Sequence, residues 1–164
     1  MNCKDVPRHV STVTPHNLNL IPNPTMDLYA ENILDHYRHP RNKNGKSQME
    51  NGKYLEHTEE NLSCGDTVTL HLLIKNDHIE GISWDGTGCA ISQAAMSLLS
   101  EELNGKTTTE IDALKPKDIY DLLGVPIGPR RVKCALLGLH TLKNALRKKE
   151  GKEVQGWIKT VGND

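Results

Sequence analysis

The sequence predicts an α+β domain, a small antiparallel three-stranded sheet with helices packed on one face. Three observations predict it. Residues 66–75 alternate apolar and polar, a tight turn follows, and a second strand returns. After Gly88 the apolar period changes from that of a strand to that of a helix. Strands and helices are also segregated along the chain rather than alternating, which favours two layers over a parallel α/β sheet.

Residues 1–25 carry Pro7, Pro15, Pro22 and Pro24 among many Ser, Thr and Asn, with no apolar period. Such a stretch cannot bury enough apolar surface to offset its ordering entropy, so a disordered N-terminal tail is expected. Lys4 and Arg8 are too few for an Arg-rich transit peptide. The domain proper is expected over 26–150, with a flexible C-terminal tail over 151–164.

The first helix is predicted over 26–37. Thr25 suits its N-cap, Asp27 and Glu31 its early turns, and Tyr29, Ile33 and Tyr37 share a face. Pro40 stops it. Residues 43–62 are polar and turn-rich, with a short third strand to be drawn from 50–62. Over 66–75, Val68, Leu70, Leu72 and Ile74 point one way, and Thr67, Thr69 and His71 the other. Asn76-Asp77 is a hairpin turn, and 78–85 return with Ile82 and Trp84 on one face. Gly86-Thr87-Gly88 breaks the strand, and a helix over 89–104 ends at Gly105. Thr107 to Glu110 has capping-box spacing, residues 116–123 suggest a further helix, and Pro129 opens a last one that runs to about Glu150.

Composition excludes several classes. Lys plus Arg number 20 and Asp plus Glu 21 in 164 residues, a net charge of −1. Nucleic-acid-binding domains run strongly basic, so no nucleic-acid partner is expected. No apolar run approaches the roughly 20 residues that cross a bilayer, so no membrane partner is expected either. Nor does the start of the chain hold the apolar stretch of a secretory signal. A reducing, cytoplasmic setting follows, and disulfides are rare there.

Cys3 sits in the expected tail. Cys64, Cys89 and Cys134 form no C-x-x-C pair. They are either buried small hydrophobes, since free Cys is among the most buried types, or ligands. Helical phase favours the second. Cys134 lies roughly 130° from the stripe of Val132, Ala135, Leu136, Leu139, Leu142 and Leu146, and Cys89 roughly 120° from that of Ile91, Ala95, Leu98 and Leu99. Both thiols stand near helix N-termini, where the dipole favours thiolate. Gly65, Gly86 and Gly88 leave room for close approach. Three thiolates with the Asp66 carboxylate make a four-ligand set, and soft thiolates select zinc, Cu(I) or iron–sulfur clusters. His71 and His140 are expected to be structural. Leu137 falls opposite the stripe, where it could dock a partner. Lys143, Arg147, Lys148, Lys149 and Lys152 are a solvated helix end.

Four segments carry a resemblance: Leu28-Tyr29 leading to His39-Pro40-Arg41-Asn42; Ser63-Cys64-Gly65-Asp66; Gly88-Cys89-Ala90-Ile91-Ser92; and Arg131-Val132-Lys133-Cys134-Ala135. In this order they resemble the IscU/NifU-N-domain type of iron–sulfur cluster assembly scaffold over residues 26–149. The resemblance implies that Cys64, Asp66, Cys89 and Cys134 form an assembly site for a transient two-iron, two-sulfur (2Fe–2S) cluster. It further implies that a cysteine desulfurase delivers persulfide sulfur to a scaffold cysteine, Cys64 or Cys134, that iron and electrons complete the cluster, and that apo iron–sulfur proteins receive it. Such a protein is a scaffold more than an enzyme.

Two departures matter. IscU-type members have His before the third cysteine, where this chain has Lys133, whose ammonium offers no lone pair. Their Leu-Pro-Pro-Val-Lys segment is here Ile127-Gly128-Pro129-Arg130-Arg131, so recognition by the dedicated Hsp70 chaperone does not carry over. A basic residue before the third cysteine instead resembles the SufU-type branch. Its members hold zinc through three Cys and one Asp and accept sulfur from their desulfurase, a sulfurtransferase role. They also carry an insertion between the second and third cysteines that this chain lacks. Lys133 would lower the Cys134 pKa, and Arg41 would anchor the first segment or contact the desulfurase.

Overall fold

The computed structural model describes residues 24–45 and 54–162. Cys3 and most of the expected N-terminal tail lie outside them. Helix α1 is Pro24–Arg38, followed by β1 Leu55–Asn61, β2 Asp66–Lys75, β3 His78–Thr87, α2 Ala90–Glu102, α3 Thr108–Asp112, α4 Pro116–Leu123, a 3-10 turn at Pro129–Arg131, α5 Val132–Lys149 and α6 Trp157–Val161. Thr25 is thus inside α1 rather than capping it.

The sheet is antiparallel in the order β1-β2-β3. Asn76 and Asp77 both have positive φ, 48° and 66°, as a two-residue turn matching the strand twist requires. Val68, Leu70, Leu72 and Trp84 face the helices and are fully buried. Leu70 lies opposite Trp84 and Leu72 opposite Ile82. The alternation breaks at a bulge between Leu73 and Ile74, which leaves Ile74 only partly buried. On the other face Thr58 meets Thr69 at 2.8 Å. There His71 is buried by Tyr54, edge-on at 5.6 Å, and pairs with Glu56 at 3.0 Å.

Beyond β3 the loop after α1 lies along the sheet edge. The Trp84 N–H donates to the Asn42 carbonyl (3.0 Å), and the Asn44 N–H donates to the Trp84 carbonyl (2.9 Å). The Trp84 indole donates to the Arg41 carbonyl (2.8 Å), and the Arg41 N–H donates to Ser97 Oγ (2.8 Å). The Arg41 guanidinium bonds Asp35 and the His39 carbonyl. Arg41 therefore anchors the first segment to α2. That guanidinium, and then His39, hold the Asp35 carboxyl below its ordinary pKa.

Helix α5 is the axis of the helical layer. It packs on β1, β2, α2, α4 and α6, and every residue from Cys134 to Leu146 is buried. A stripe-and-back reading assumes one solvated face, and this helix has none there. Leu137 is fully buried instead of docking a partner. Lys143 is buried too, donating from Nζ to the Asp112 carbonyl at 2.8 Å, and burial lowers its pKa. Close approach of α2 to α5 is possible because residue 138 is glycine. A Cβ there would sit 2.8 Å from Met96 Sδ.

The expected flexible tail beyond Gly151 gives way to structure. Gln155 exchanges hydrogen bonds with the Asn144 side chain, its N–H donating to Oδ1 (2.7 Å) and its carbonyl accepting from Nδ2 (3.2 Å). The Trp157 ring stacks on His140 at 4.0 Å, and His140 Nδ1 pairs with Thr160 Oγ1 at 2.7 Å. These partners are buried polar groups of α5 that need satisfying, so α6 completes the domain. His140 is structural, as expected, and its pKa is lowered by burial.

If α5 has no solvent face, Leu137→Ala should destabilise the chain by about 2–5 kcal/mol, where a surface site would give less than about 0.5. Urea denaturation with an unchanged slope is the check.

Candidate metal centre

Sequence-local rules place each functional side chain at an element end. β1 and β2 are joined by Leu62-Ser63-Cys64-Gly65, and Asn61 pairs with Asp66 to close the hairpin. Gly65 has φ 73°, a left-handed position that other residues enter at a cost. Nothing lies within 4 Å of where its Cβ would be. It is there for the turn, not to admit a cluster.

Cys64 is exposed at the tip of this hairpin. Cys134 approaches from the first turn of α5, and the two Sγ atoms are 3.4 Å apart. Asp66, the first residue of β2, is 2% exposed. Its Oδ1 accepts from the Cys89 N–H at 3.1 Å, while Oδ2 has no hydrogen-bond partner. Among the described residues, Cys64, Asp66 and Cys134 bring their ligand atoms within 4.8 Å of one another. Cys89 is the N-cap of α2 and exposed, and its thiol stands outside that set. It adjoins the cluster through its main chain, and its charge acts on Cys134. Three of the four expected ligands therefore converge, with the fourth one hydrogen bond away.

Gly88 is shaped by this site. A Cβ there would lie 2.4 Å from Ser92 Oγ and 2.8 Å from the Asp66 carboxyl carbon. Gly86, with φ 155°, has another reason. Its Cβ would strike the Thr67 carbonyl oxygen at 2.1 Å, so its role is strand pairing.

The electrostatics differ from the dipole argument. Burial pushes the Cys134 thiol far up, and Cys64, Asp66 and the charge of Cys89 push it the same way. Cys134 is only 5% exposed. Lys133 does not offset this, because its ammonium lies over the Trp157 ring, 5.7 Å from the centroid. It acts on α6, not on the thiol. Arg41 makes its contacts with Asp35, His39, Trp84 and α2, as described above.

The donor set fits a thiophilic metal or an iron–sulfur cluster. A buried carboxylate with an orphan oxygen beside two sulfurs is costly without a cation to share. Zinc–sulfur bonds of about 2.3 Å in a tetrahedron set sulfurs about 3.8 Å apart, so the 3.4 Å pair needs little movement. One contributor escaped the sequence reading. Asn61, 2% exposed, donates from Nδ2 to Cys64 Sγ at 2.8 Å and faces Cys134 Sγ at 3.7 Å. Its signal was available: an Asn at a strand end, three residues before a cysteine turn.

The glycines give a paired prediction. Gly65→Ala should cost about 1–2 kcal/mol of stability from strain, with zinc affinity per folded chain unchanged. Gly88→Ala should displace the Asp66 carboxylate and weaken zinc binding roughly 10–100-fold. Denaturation and competition with a chromophoric chelator measure the two effects separately.

Residues 28–155 match the family model of the NifU-like N terminal domain. The chain is 31% identical over 137 residues to the iron–sulfur cluster assembly scaffold protein IscU of Thermotoga maritima, covering 74% of this chain and 94% of that protein. It is also 31% identical over 141 residues to the zinc-dependent sulfurtransferase SufU of Bacillus subtilis, covering 76% and 92%. Among solved structures, a candidate iron–sulfur cluster assembly scaffold for the SUF system from Fervidobacterium islandicum matches with TM-score 0.57 and 31% identity, over 71% of this chain and 95% of that one. A NifU-like N-terminal domain from Brucella abortus matches in fold, with TM-score 0.61 and 21% identity over 77% and 96%.

Proposed function

The chain belongs to the NifU-like N-terminal domain family, and on that premise we propose that it is an assembly scaffold for iron–sulfur clusters. One observation carries the reading. The thiols of Cys64 and Cys134 converge with the buried Asp66 carboxylate, one of whose oxygens has no hydrogen-bond partner, beside the exposed Cys89. Thiolates ligate iron, and the iron of iron–sulfide clusters, tightly. A carboxylate is a harder ligand and a better-released one, which suits a cargo that must leave.

The residues divide the work. Cys64 is exposed, so it is the sulfur acceptor that a cysteine desulfurase can reach, whereas Cys134 is buried. The Cys64 thiolate attacks the terminal sulfur of the desulfurase persulfide. The donor S–S bond breaks, the donor cysteine leaves as thiolate, and Cys64 carries the persulfide. Cys134 and Asp66 hold the metal side of the cargo. Cys89, at the N-cap of α2 with an exposed thiol, supplies the remaining thiolate ligand. An external electron donor then reduces the persulfide sulfur to sulfide, two electrons for each sulfur, which frees the Cys64 thiolate; iron joins the sulfide, and apo iron–sulfur proteins receive the finished 2Fe–2S cluster. This chemistry needs reduced thiols, so we place the protein in the cytoplasm. Among the described residues, no helix is long and apolar enough to cross a membrane.

The SufU relative supports a second reading, in which the same ligands hold zinc and the chain relays sulfur. Anaerobic reconstitution with iron(II), cysteine, a desulfurase and a thiol reductant separates the two. A scaffold develops visible cluster absorption and passes it to apo-ferredoxin, and Asp66→Ala holds the cluster longer. In the relay, neither protein develops a cluster, zinc accelerates the desulfurase, and Asp66→Ala loses zinc.

The ligand assignment has its own check. The wild-type chain should bind one zinc. Cys64→Ser, Cys89→Ser and Cys134→Ser should each abolish tight binding, and Cys3→Ser should leave it intact. Elemental analysis after gel filtration decides, and tight binding retained by any of the first three removes that residue from the set.

A further inference from the structure

Asn61 closes the β1–β2 hairpin opposite Asp66, and most of its polar groups are used to build the turn. Its carbonyl accepts from the Cys64 N–H (3.2 Å) and the Gly65 N–H (2.9 Å), and its Oδ1 accepts from the Ser63 N–H (3.3 Å). The amide nitrogen is left over. It faces the two sulfurs, 2.8 Å from Cys64 Sγ and 3.7 Å from Cys134 Sγ.

Chemistry says what such a donor is for. A neutral thiol is a weak acceptor, and a buried amide N–H spent on one gains little. A thiolate is an ionised acceptor, and hydrogen bonds to it are much stronger. Turn-building alone does not require the amide nitrogen, because Asp or Ser can accept the same Ser63 N–H. Asn supplies that acceptor and, on the same side chain, donors for sulfur.

We propose that Asn61 is a positioning residue for the sulfur ligands: its amide N–H groups fix the Cys64 and Cys134 thiolates side by side and draw electron density from them. This rests on the reading of the cluster as a thiolate centre. Hydrogen bonds to ligand sulfurs tune how strongly they donate, and partners of this kind are worth roughly 10–100-fold in metal affinity. Asn61 thus holds an otherwise close pair of like charges together.

The test uses the full chain loaded anaerobically with cobalt(II), whose thiolate charge-transfer band reports on the sulfurs. Asn61→Asp keeps the shape and the turn acceptor but has no N–H. Asn61→Ser keeps an acceptor for the turn, adds no charge and is too short to reach the sulfurs, so it serves where Asp does not fold. Both should bind cobalt roughly 10–100-fold more weakly, with the band moved to longer wavelength because sulfur lone pairs lose a stabilising donor. Weaker binding with an unmoved band would mean that Asn61 acts only through the turn, and would overturn the proposal. Unchanged affinity and band would overturn it too, while the metal centre stands. A wild type without a thiolate–cobalt band would remove the centre itself, and this role with it.

Discussion

A hydrogen bond of 3.1 Å from the Cys89 N–H to Asp66 Oδ1 ties the first residue of β2 to the start of α2. Much of the site depends on it. It buries a carboxylate at the seam between sheet and helices, and it brings Cys89 beside the hairpin that carries Cys64. It also demands glycine at position 88, since any side chain there would occupy the space of the Asp66 carboxyl and Ser92. The bond satisfies one oxygen only. A charge buried with an orphan oxygen is tolerated where a cation can share it, and here the two thiols stand beside that carboxylate.

The third arm of the site comes from a helix buried over most of its length. Because α5 is surrounded by β1, β2, α2, α4 and α6, its register is set by packing along its whole length, and Cys134 in its first turn inherits that rigidity. The hairpin loop with Cys64 is exposed by contrast. A rigid buried thiol facing an accessible one suits a site that must hold a cargo and also admit its sulfur. The charge of Lys133 is spent on the Trp157 ring, so α6 is secured to the same end of α5 that bears Cys134.

The sheet and helices were largely legible from local pattern. The alternation over 66–75, the positive-φ pair Asn76-Asp77 and the Thr107–Glu110 capping box are rules of short range, and the capping box forms as drawn, with the Thr107 N–H on Glu110 Oε2 at 2.8 Å. The errors share one cause. A phase argument on α5 supposes a solvated side, which puts Leu137 outside and Cys134 off the core, and the basic run at the helix end puts Lys143 in solvent on the same supposition. Phase shows only that residues differ in direction, and it carries no information about how many neighbours surround a helix. The C-terminal segment differs from the expected tail for a related reason. Its Trp157, Gln155 and Thr160 have no apolar period, and their partners, His140 and Asn144, are polar groups made buried by packing elsewhere.

By itself the sequence determined which atoms could do the chemistry, three dispersed cysteines and an aspartate at element ends, because residue type and local turn signals are intrinsic to the chain. Tertiary structure decided which of them meet and in what electrostatic state. It set Cys64 against Cys134, left the Cys89 thiol outside the closest group, turned Lys133 toward Trp157, and brought in Asn61, whose part depends on a sulfur 73 residues away. Distances across such separations arise from the packing of whole elements. Burial then raised the Cys134 thiol where the helix dipole alone would have lowered it, since desolvation grows with every element packed around a group and a helix terminus contributes only locally.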